Sequence, residues 1–466
     1  MSVHIYNSLS RKKEEFLPVN PPKLNIYSCG VTVYDDCHIG HARSLYIFDV
    51  ISRYLKYRGF DVRFVRNITD IDDKIINRAN ELKTGWKELV AKYISRYYED
   101  LSALGIGKAD SEPRATENIE EMKSYIQGLI DKGYAYPTDT GVYFSVRKFK
   151  DYGKLSGQGI EQMITGVRKD ADETKEDPLD FALWKRSKPG EPFWESPWGQ
   201  GRPGWHIECS VMSAKYLKSE TLDIHAGGRD LIFPHHENEI AQSEALSGKP
   251  FARYWIHHGL LTINGQKMSK SLGNFITVKD ALAKYSADVL KIFFLQAHYS
   301  SPIDFSDDKM KEAAQALERI MILADKIDKR SGSSRTAAKV TEIKELAEIK
   351  DKFIQAMDDD FNTPQGLACV FELVTAANKK IEDLDFILSA RSLLQELMNI
   401  LGLKLTDTKN TVANDGDLEI QQLVDKRAEA KKKRDFQEAD KIRKDLEAKG
   451  IILEDNKDGT TWRRKL

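Results

Sequence analysis

The chain has 466 residues, 41% hydrophobic and 31% charged, which excludes wholesale disorder and suits about three globular domains. Lys plus Arg total 71 against 72 Asp plus Glu, a net charge of −1, so no global basic field advertises nucleic acid and any such contact must come from local patches. No apolar run matches a signal-peptide core or a bilayer span, and the four cysteines are too scattered for a disulfide framework. A cytoplasmic protein without a membrane partner is expected, its cysteines reduced or bound to metal.

In chain order, residues 25–30 predict a strand, followed by a turn with Gly and His and then the helical pattern of Leu45, Phe48, Val50, Ile51 and Leu55. Alternating, β-branched residues at 61–67 predict a second strand parallel to the first in a βαβ unit. Residues 1–110 thus form the first half of an α/β, Rossmann-like nucleotide-binding core. An insertion is expected over 111–200, with a helix near 117–131, a hairpin at 134–146 and an acidic loop bearing proline. The second half of the core follows over 201–306. Spacing of Ala313, Leu317, Ile320, Met321 and Ala324 predicts a helical bundle over 307–405, with a polar break at 329–336. A small C-terminal domain, 406–466, starts with a polar stretch and carries one charged helix over 421–449 and a strand-rich end at 451–462.

Two motifs carry chemistry. Cys37-His38-Ile39-Gly40-His41 lies between the first strand and its helix, where free backbone N–H groups and a positive dipole end attract phosphate; Gly40 permits close approach. The two histidines either bind phosphate or simply cap the helix. Lys267-Met268-Ser269-Lys270-Ser271, between Gly265 and Gly273, is either a solvated loop or one that closes two lysines over a triphosphate.

Together, His38 to His41 and Lys267 to Ser271 resemble the HIGH and KMSKS signatures of the class I aminoacyl-tRNA synthetases, and both are unaltered. The strings 67–74 (NITDIDDK), 204–210 (GWHIECS) and 233–239 (FPHHENE) are similar to the cysteine-specific branch of that family, and the likeness runs over nearly the whole chain. The resemblance implies a catalytic core that activates cysteine with ATP and magnesium and transfers it to tRNA(Cys), with His38, His41, Lys267 and Lys270 catalytic and Gly40 also at the ATP. By the same likeness one zinc per chain is held by Cys29, Cys209, His235 and Glu239. Spacing alone says only that His235 and Glu239, four apart, share a helical face. Thr69, Trp205, His225 and Asp230 are implied around the amino acid, although Trp205, near Trp184, Trp194 and Trp198, is equally suited to packing.

The insertion is then a connective domain and the last domain an anticodon-binding one, with Lys431, Lys432, Arg434, Trp462, Arg463 and Arg464 as tRNA contacts. Acidic neighbours Glu438, Asp440 and Asp445 also suit an ordinary solvated helix. A monomer is expected. Two alternatives stay open: a ligase joining cysteine to an amino-sugar by the same adenylate chemistry, and an RNA-binding relative without catalysis. Cys37 and Cys369 receive no role.

Overall fold

In the computed structural model, the described residues are 2–166, 174–269, 272–331, 343–405, 415–448, 450–456 and 459–464. Four parallel strands form the central sheet: β1 (Lys23–Thr32), β2 (Asp61–Thr69), β3 (Leu222–Gly228) and β4 (Ala252–His258), in the order β4-β3-β1-β2. β3 is buried along its whole length, and β2 nearly so, as expected of parallel strands covered on both faces. The chain leaves β1 through helix α1 (Ile39–Tyr57) and returns in β2, the predicted βαβ unit. Because β2 and β3 flank β1 on opposite sides, the carboxyl end of β1 is a topological switch point, where open α/β sheets bind ligands.

Between the two halves, strands Ala135–Pro137, Gly141–Phe144, Phe181–Arg186 and Gly201–Pro203 make a separate antiparallel sheet. It packs through Phe144, Phe181, Leu183 and Trp184 on the side of the central sheet that carries Tyr27 and Val65. Helices α2 (Trp205–Leu217) and α3 (Glu237–Ser247) belong to the same cluster. Beyond β4, the short strands β5 (Leu261–Ile263) and β6 (Gln266–Lys267) pair antiparallel, while β5 also runs parallel to β7 (Ile303–Phe305).

The helical region comprises α4 (Asp307–Ser331), α5 (Lys344–Asp358), α6 (Thr363–Lys379) and α7 (Leu384–Ile400). Ala313, Leu317, Ile320 and Ala324 are buried on the expected face of α4. One hydrophobic cluster runs from Val3 through the α1 side of the sheet to Leu403, so sheet and bundle share a core. The last unit has its own small core of Ile420, Val424, Ile442, Leu446 and Ile451. Here the single predicted helix is corrected to two, α8 (Asp415–Lys432) and α9 (Phe436–Ala448). Arg434 turns the chain at φ 61°, and Asp435 restarts it by accepting the Glu438 N–H at 3.1 Å. The closing hairpin pairs Ile451–Asn456 with Gly459–Arg464. Among the described residues no helix is long and apolar enough to cross a membrane.

Candidate functional site

Strand register breaks in β1 between Ser28 and Val31, and this irregularity carries Cys29. Gly30 makes it possible: a Cβ there would lie 1.6 Å from the Asn67 carbonyl oxygen, whereas the bare backbone donates to Asn67 Oδ1 at 2.9 Å. α2 supplies Cys209 from within its first two turns, the turn leading into α3 supplies His235, and the first turn of α3 supplies Glu239, four residues on. These elements meet at one buried point. Cys29 Sγ lies 3.6 Å from Cys209 Sγ and 3.6 Å from Glu239 Oε1; His235 Nε2 is 3.6 Å from Cys209 Sγ and 3.0 Å from Glu239 Oε1. Cys209 and His235 are 1% exposed and Glu239 is fully buried.

Burying so many ionisable groups costs free energy unless they compensate one another. Burial pushes the Cys29 thiol up, reinforced by the neighbouring Cys209 and Glu239. Burial acts the same way on Cys209, but the Cys29 thiol and His235 outweigh it and bring Cys209 down to about 6. For His235, burial is outweighed by Glu239 and Cys209, which raise it to about 10; Glu239 is held well below the carboxylate range by His225 and His235. Two thiols, an imidazole and a carboxylate thus converge on one point, where a divalent cation would take the place of their protons. Four donor atoms within 4.8 Å of one another fit a metal site.

Sequence reasoning missed a second set at the same place, in which His225 and His236 join Cys29 and Glu239. His236 Nε2 is 3.2 Å from Cys29 Sγ, and its Nδ1 is 2.8 Å from His257 Nε2, whose Nδ1 reaches Ser8 Oγ at 2.8 Å. The His235-His236 doublet was the available signal. His225, expected at the amino acid, is itself a member of this second set. Its Nε2 is 2.7 Å from Glu239 Oε2, its ring stacks on Trp255 at 4.5 Å, and it is fully buried.

Among the other expected pocket residues, Trp205 stacks on His235 at 4.0 Å and lines a cleft of about 1300 Å³ between the inserted sheet and the core. Thr69 is buried and donates to Glu208 Oε2 at 2.7 Å; Oε1 of that buried carboxyl has no hydrogen-bond partner among the described residues. Asp230 is exposed on the short turn Arg229–Leu231, next to Gly228 and apart from the thiols' own contacts.

His38 and His41 do cap α1, reciprocally: the His41 N–H donates to His38 Nδ1 at 3.2 Å and the His38 N–H to His41 Nδ1 at 3.3 Å. Their rings stack at 3.6 Å. With each Nδ1 accepting, the proton of each neutral ring sits on Nε2, so capping and presenting two N–H donors are one arrangement. Burial, with His38 and Lys74 adding, lowers the His41 pKa well below that of a free imidazole. Gly40 lies beneath the His38 ring, and a Cβ there would be 3.6 Å from Met268 Cε, bringing the second motif against the first. Lys267 is exposed at the end of β6, and its carbonyl accepts from Asn274 Nδ2 at 3.2 Å. Lys270 lies outside the described residues.

In the C-terminal unit, Lys431 and Lys432 end α8 and Lys432 and Arg434 are exposed; Trp462, Arg463 and Arg464 lie on the last strand opposite Leu453, Ile452 and Ile451. Cys37 and Cys369 are core thiols, Cys37 pushed up to about 12 by burial.

The chain is similar to known proteins along its whole length. The profile of the class I (C) tRNA synthetase catalytic domain matches residues 15–315, a DALR domain matches 352–406, and the cysteinyl-tRNA ligase anticodon binding domain matches 413–463. A cysteine–tRNA ligase of Thermodesulfovibrio yellowstonii is 50% identical and one of Geobacter metallireducens 51% identical, each alignment covering 100% of both chains. Among solved structures, the Mycobacterium tuberculosis methionyl-tRNA synthetase with methionyl-adenylate aligns at TM-score 0.62 and 15% identity over 81% of this chain and 90% of its own. The Agrobacterium radiobacter LeuRS–tRNA–LeuAMS complex aligns at 0.63 and 11%, over 83% and 85%. At such identities the structural likeness speaks for the fold alone.

Proposed function

This chain belongs to the cysteine branch of the class I tRNA synthetases, and we propose that it is an ATP-dependent cysteine–tRNA ligase that forms cysteinyl-adenylate, releases pyrophosphate and charges tRNA(Cys). The observation that carries this is the buried cluster of two thiols, an imidazole and a carboxylate at the carboxyl end of β1, followed in the chain by a helix start bearing two imidazole donors.

Zinc suits the cluster. A tetrahedral zinc, with sulfur at about 2.3 Å and nitrogen or oxygen at about 2.0–2.1 Å, sets sulfur–sulfur separations near ~3.75 Å and sulfur–nitrogen or sulfur–oxygen separations near ~3.5 Å. Separations of 3.6 Å for Cys29 to Cys209, Cys209 to His235 and Cys29 to Glu239 support one zinc per chain on Cys29, Cys209, His235 and Glu239. Two soft sulfurs favour this set over the one with His225 and His236, and His225 already occupies Glu239 Oε2. Bound there, zinc supplies a soft Lewis acid that prefers a thiolate to a serine hydroxyl, a discrimination beyond the ~1–3 kcal/mol of a merely apolar pocket.

The protein groups do the rest. Trp205 and His225 wall the amino-acid pocket, Trp205 also fixing the His235 ring, Thr69 lines it, and Asp230 takes the substrate ammonium. As the cysteine carboxylate attacks the α-phosphate, His38 and His41 donate Nε2–H to phosphate oxygens, beside Gly40. Lys267 and Lys270, with magnesium accompanying ATP, offset the charge that builds as pyrophosphate leaves. A hydroxyl of the terminal adenosine then displaces AMP.

Lys431, Lys432, Arg434, Trp462, Arg463 and Arg464 contact the tRNA from an anticodon-binding domain, 406–466, behind the core halves 1–110 and 201–306, the connective insertion 111–200 and the bundle 307–405. We infer a cytoplasmic monomer. The amino-sugar ligase is disfavoured by the match of residues 413–463 to an anticodon-binding domain.

Charging of purified tRNA with cysteine and with serine, alongside metal analysis, tests the proposal. Cysteine-only charging that tracks zinc content is expected. Pyrophosphate exchange without charging would shift the acceptor to an amino-sugar, and serine charged as readily as cysteine would end the metal-based selectivity.

A further inference from the structure

Arg43 is fully buried two residues after the histidine motif, yet among the described residues it meets no carboxylate. Its guanidinium donates to five backbone carbonyls instead: Nη1 to Gly259 at 2.8 Å and Leu260 at 3.1 Å, and Nη2 to Ser301 at 2.6 Å, Tyr299 at 3.3 Å and His298 at 3.4 Å. A buried cation is costly, and here the cost is offset by a planar fork that donates to several carbonyls at once, on two chain segments.

Those carbonyls belong to the two chain segments that lead into β5 and β7. Gly259 donates to the Tyr299 carbonyl at 2.9 Å and Ile303 to the Leu260 carbonyl at 3.0 Å, so the segments are already zipped together where Arg43 grips them. A Cβ on Gly259 would lie 2.2 Å from the Ser301 oxygen and 2.6 Å from Pro302 N, so the approach tolerates no side chain. From β5 the chain proceeds directly through β6 to Lys267. At its far end the same stretch is tied again to the start of α1: Ile39 donates to the Ile276 carbonyl at 3.1 Å and Val278 to the Cys37 carbonyl at 2.8 Å. The lysine loop therefore hangs between two anchors on one helix, the helix whose cap presents the paired histidines.

We propose that Arg43 is a positioning residue for adenylate formation: by forking onto the carbonyls of 259–260 and 298–301 it fixes where the Lys267 loop starts relative to His38 and His41. It touches no substrate. The inference rests on the chain being an adenylate-forming ligase and goes beyond it by assigning the registration of the two signature motifs to one side chain.

Cysteine-dependent pyrophosphate exchange, with ATP and cysteine titrated separately, tests it on wild type, Arg43→Lys and Gly259→Ala, with metal content measured on each. Lys keeps the charge but cannot fork, and Gly259→Ala disturbs the same junction from the strand side while leaving Arg43 in place. Both variants should lose about 10²-fold in kcat for exchange, the usual consequence of an ångström-scale misplacement, with KM for cysteine and metal content unchanged. Should Arg43→Lys not fold, Gly259→Ala carries the same expectation. Wild-type exchange in either soluble variant would overturn the inference, as would a loss shared equally by cysteine KM and metal content, which marks a merely structural role. If wild type itself shows no cysteine-dependent exchange, the adenylate reading falls and the inference with it.

Discussion

The thiol cluster and the Lys267 loop sit at the same end of one sheet, but they are held in opposite ways. Cys209, His235 and Glu239 are almost wholly buried, each fixed by side chains that are themselves packed: His225 behind Glu239, Trp205 on His235. Lys267 is exposed on a two-residue strand, and its loop is tied locally by Ser269 N–H to Asn274 Oδ1 at 2.8 Å and by the Asn274 amide to the Lys267 carbonyl. Recognising a small thiol requires donors whose placement is settled before substrate arrives, whereas accompanying a triphosphate to its transition state requires charge that can follow it.

The contrast is sharpest where each part loses its central group. Cys209→Ala removes a thiolate donor from a site with no slack, and kcat/KM for cysteine should fall by more than the ~10–100-fold typical of residues behind a ligand; metal content by mass spectrometry should fall with it. Lys267→Ala should cost about 10²-fold in kcat for pyrophosphate exchange, read by steady-state kinetics, while metal content stays at the wild-type level. A loss of metal in that variant would erase the distinction drawn here.

One step further from the chemistry, His225→Gln should weaken metal retention by about 10–100-fold in a chelator competition, because Glu239 Oε2 loses its imidazole partner. Acid should then act on the buried side of the contrast first. Burial, aided by His225, lowers His257 to about 3, and burial lowers His258 to about 4. An unfolded chain binds those protons from about pH 6.5 downward. Their stabilisation is therefore complete above that pH and is lost as it falls towards 4, by about 1.4 kcal/mol per pH unit for each ring. Denaturant midpoints at pH 7.5, 6 and 5 should decline accordingly. The smallest effect on the site comes from deleting residues 415–466: exchange should be unchanged, because that unit packs on its own small core, while charging of tRNA collapses.

Much of this was legible beforehand. The parallel βαβ unit, the hairpin at 134–146 and the face of α4 followed from periodicity, because each element buries one regular stripe, whereas strand Phe181–Arg186 of the inserted sheet fell where only a loop was expected. The donors Cys29 and Cys209 did not: they are 180 residues apart, and only the resemblance joined them. His236 was signalled only by the His235-His236 doublet, and the contact of His225 with Glu239 was not legible, because both depend on how β3 and the segment before α3 cross. The break at 433–435 lacked Gly and Pro, yet Asp435 followed three residues later by Glu438 is a capping pattern that could have been read. Arg43 carried no signal at all, since its partners are backbone carbonyls, which every sequence possesses.

The hydrophobic cluster running from Val3 to Leu403 bears on how such a protein can be inherited. Tyr54 of α1 hydrogen-bonds Asp358 of α5 at 2.5 Å, and Tyr46 reaches the Leu401 carbonyl at 2.6 Å, so a recombination joint at 306 would bring together two halves of a core shaped by different histories. A joint just before Asp415 severs no such cluster. Sheet and bundle must therefore change in step through descent, while the terminal unit is free to be traded between lineages.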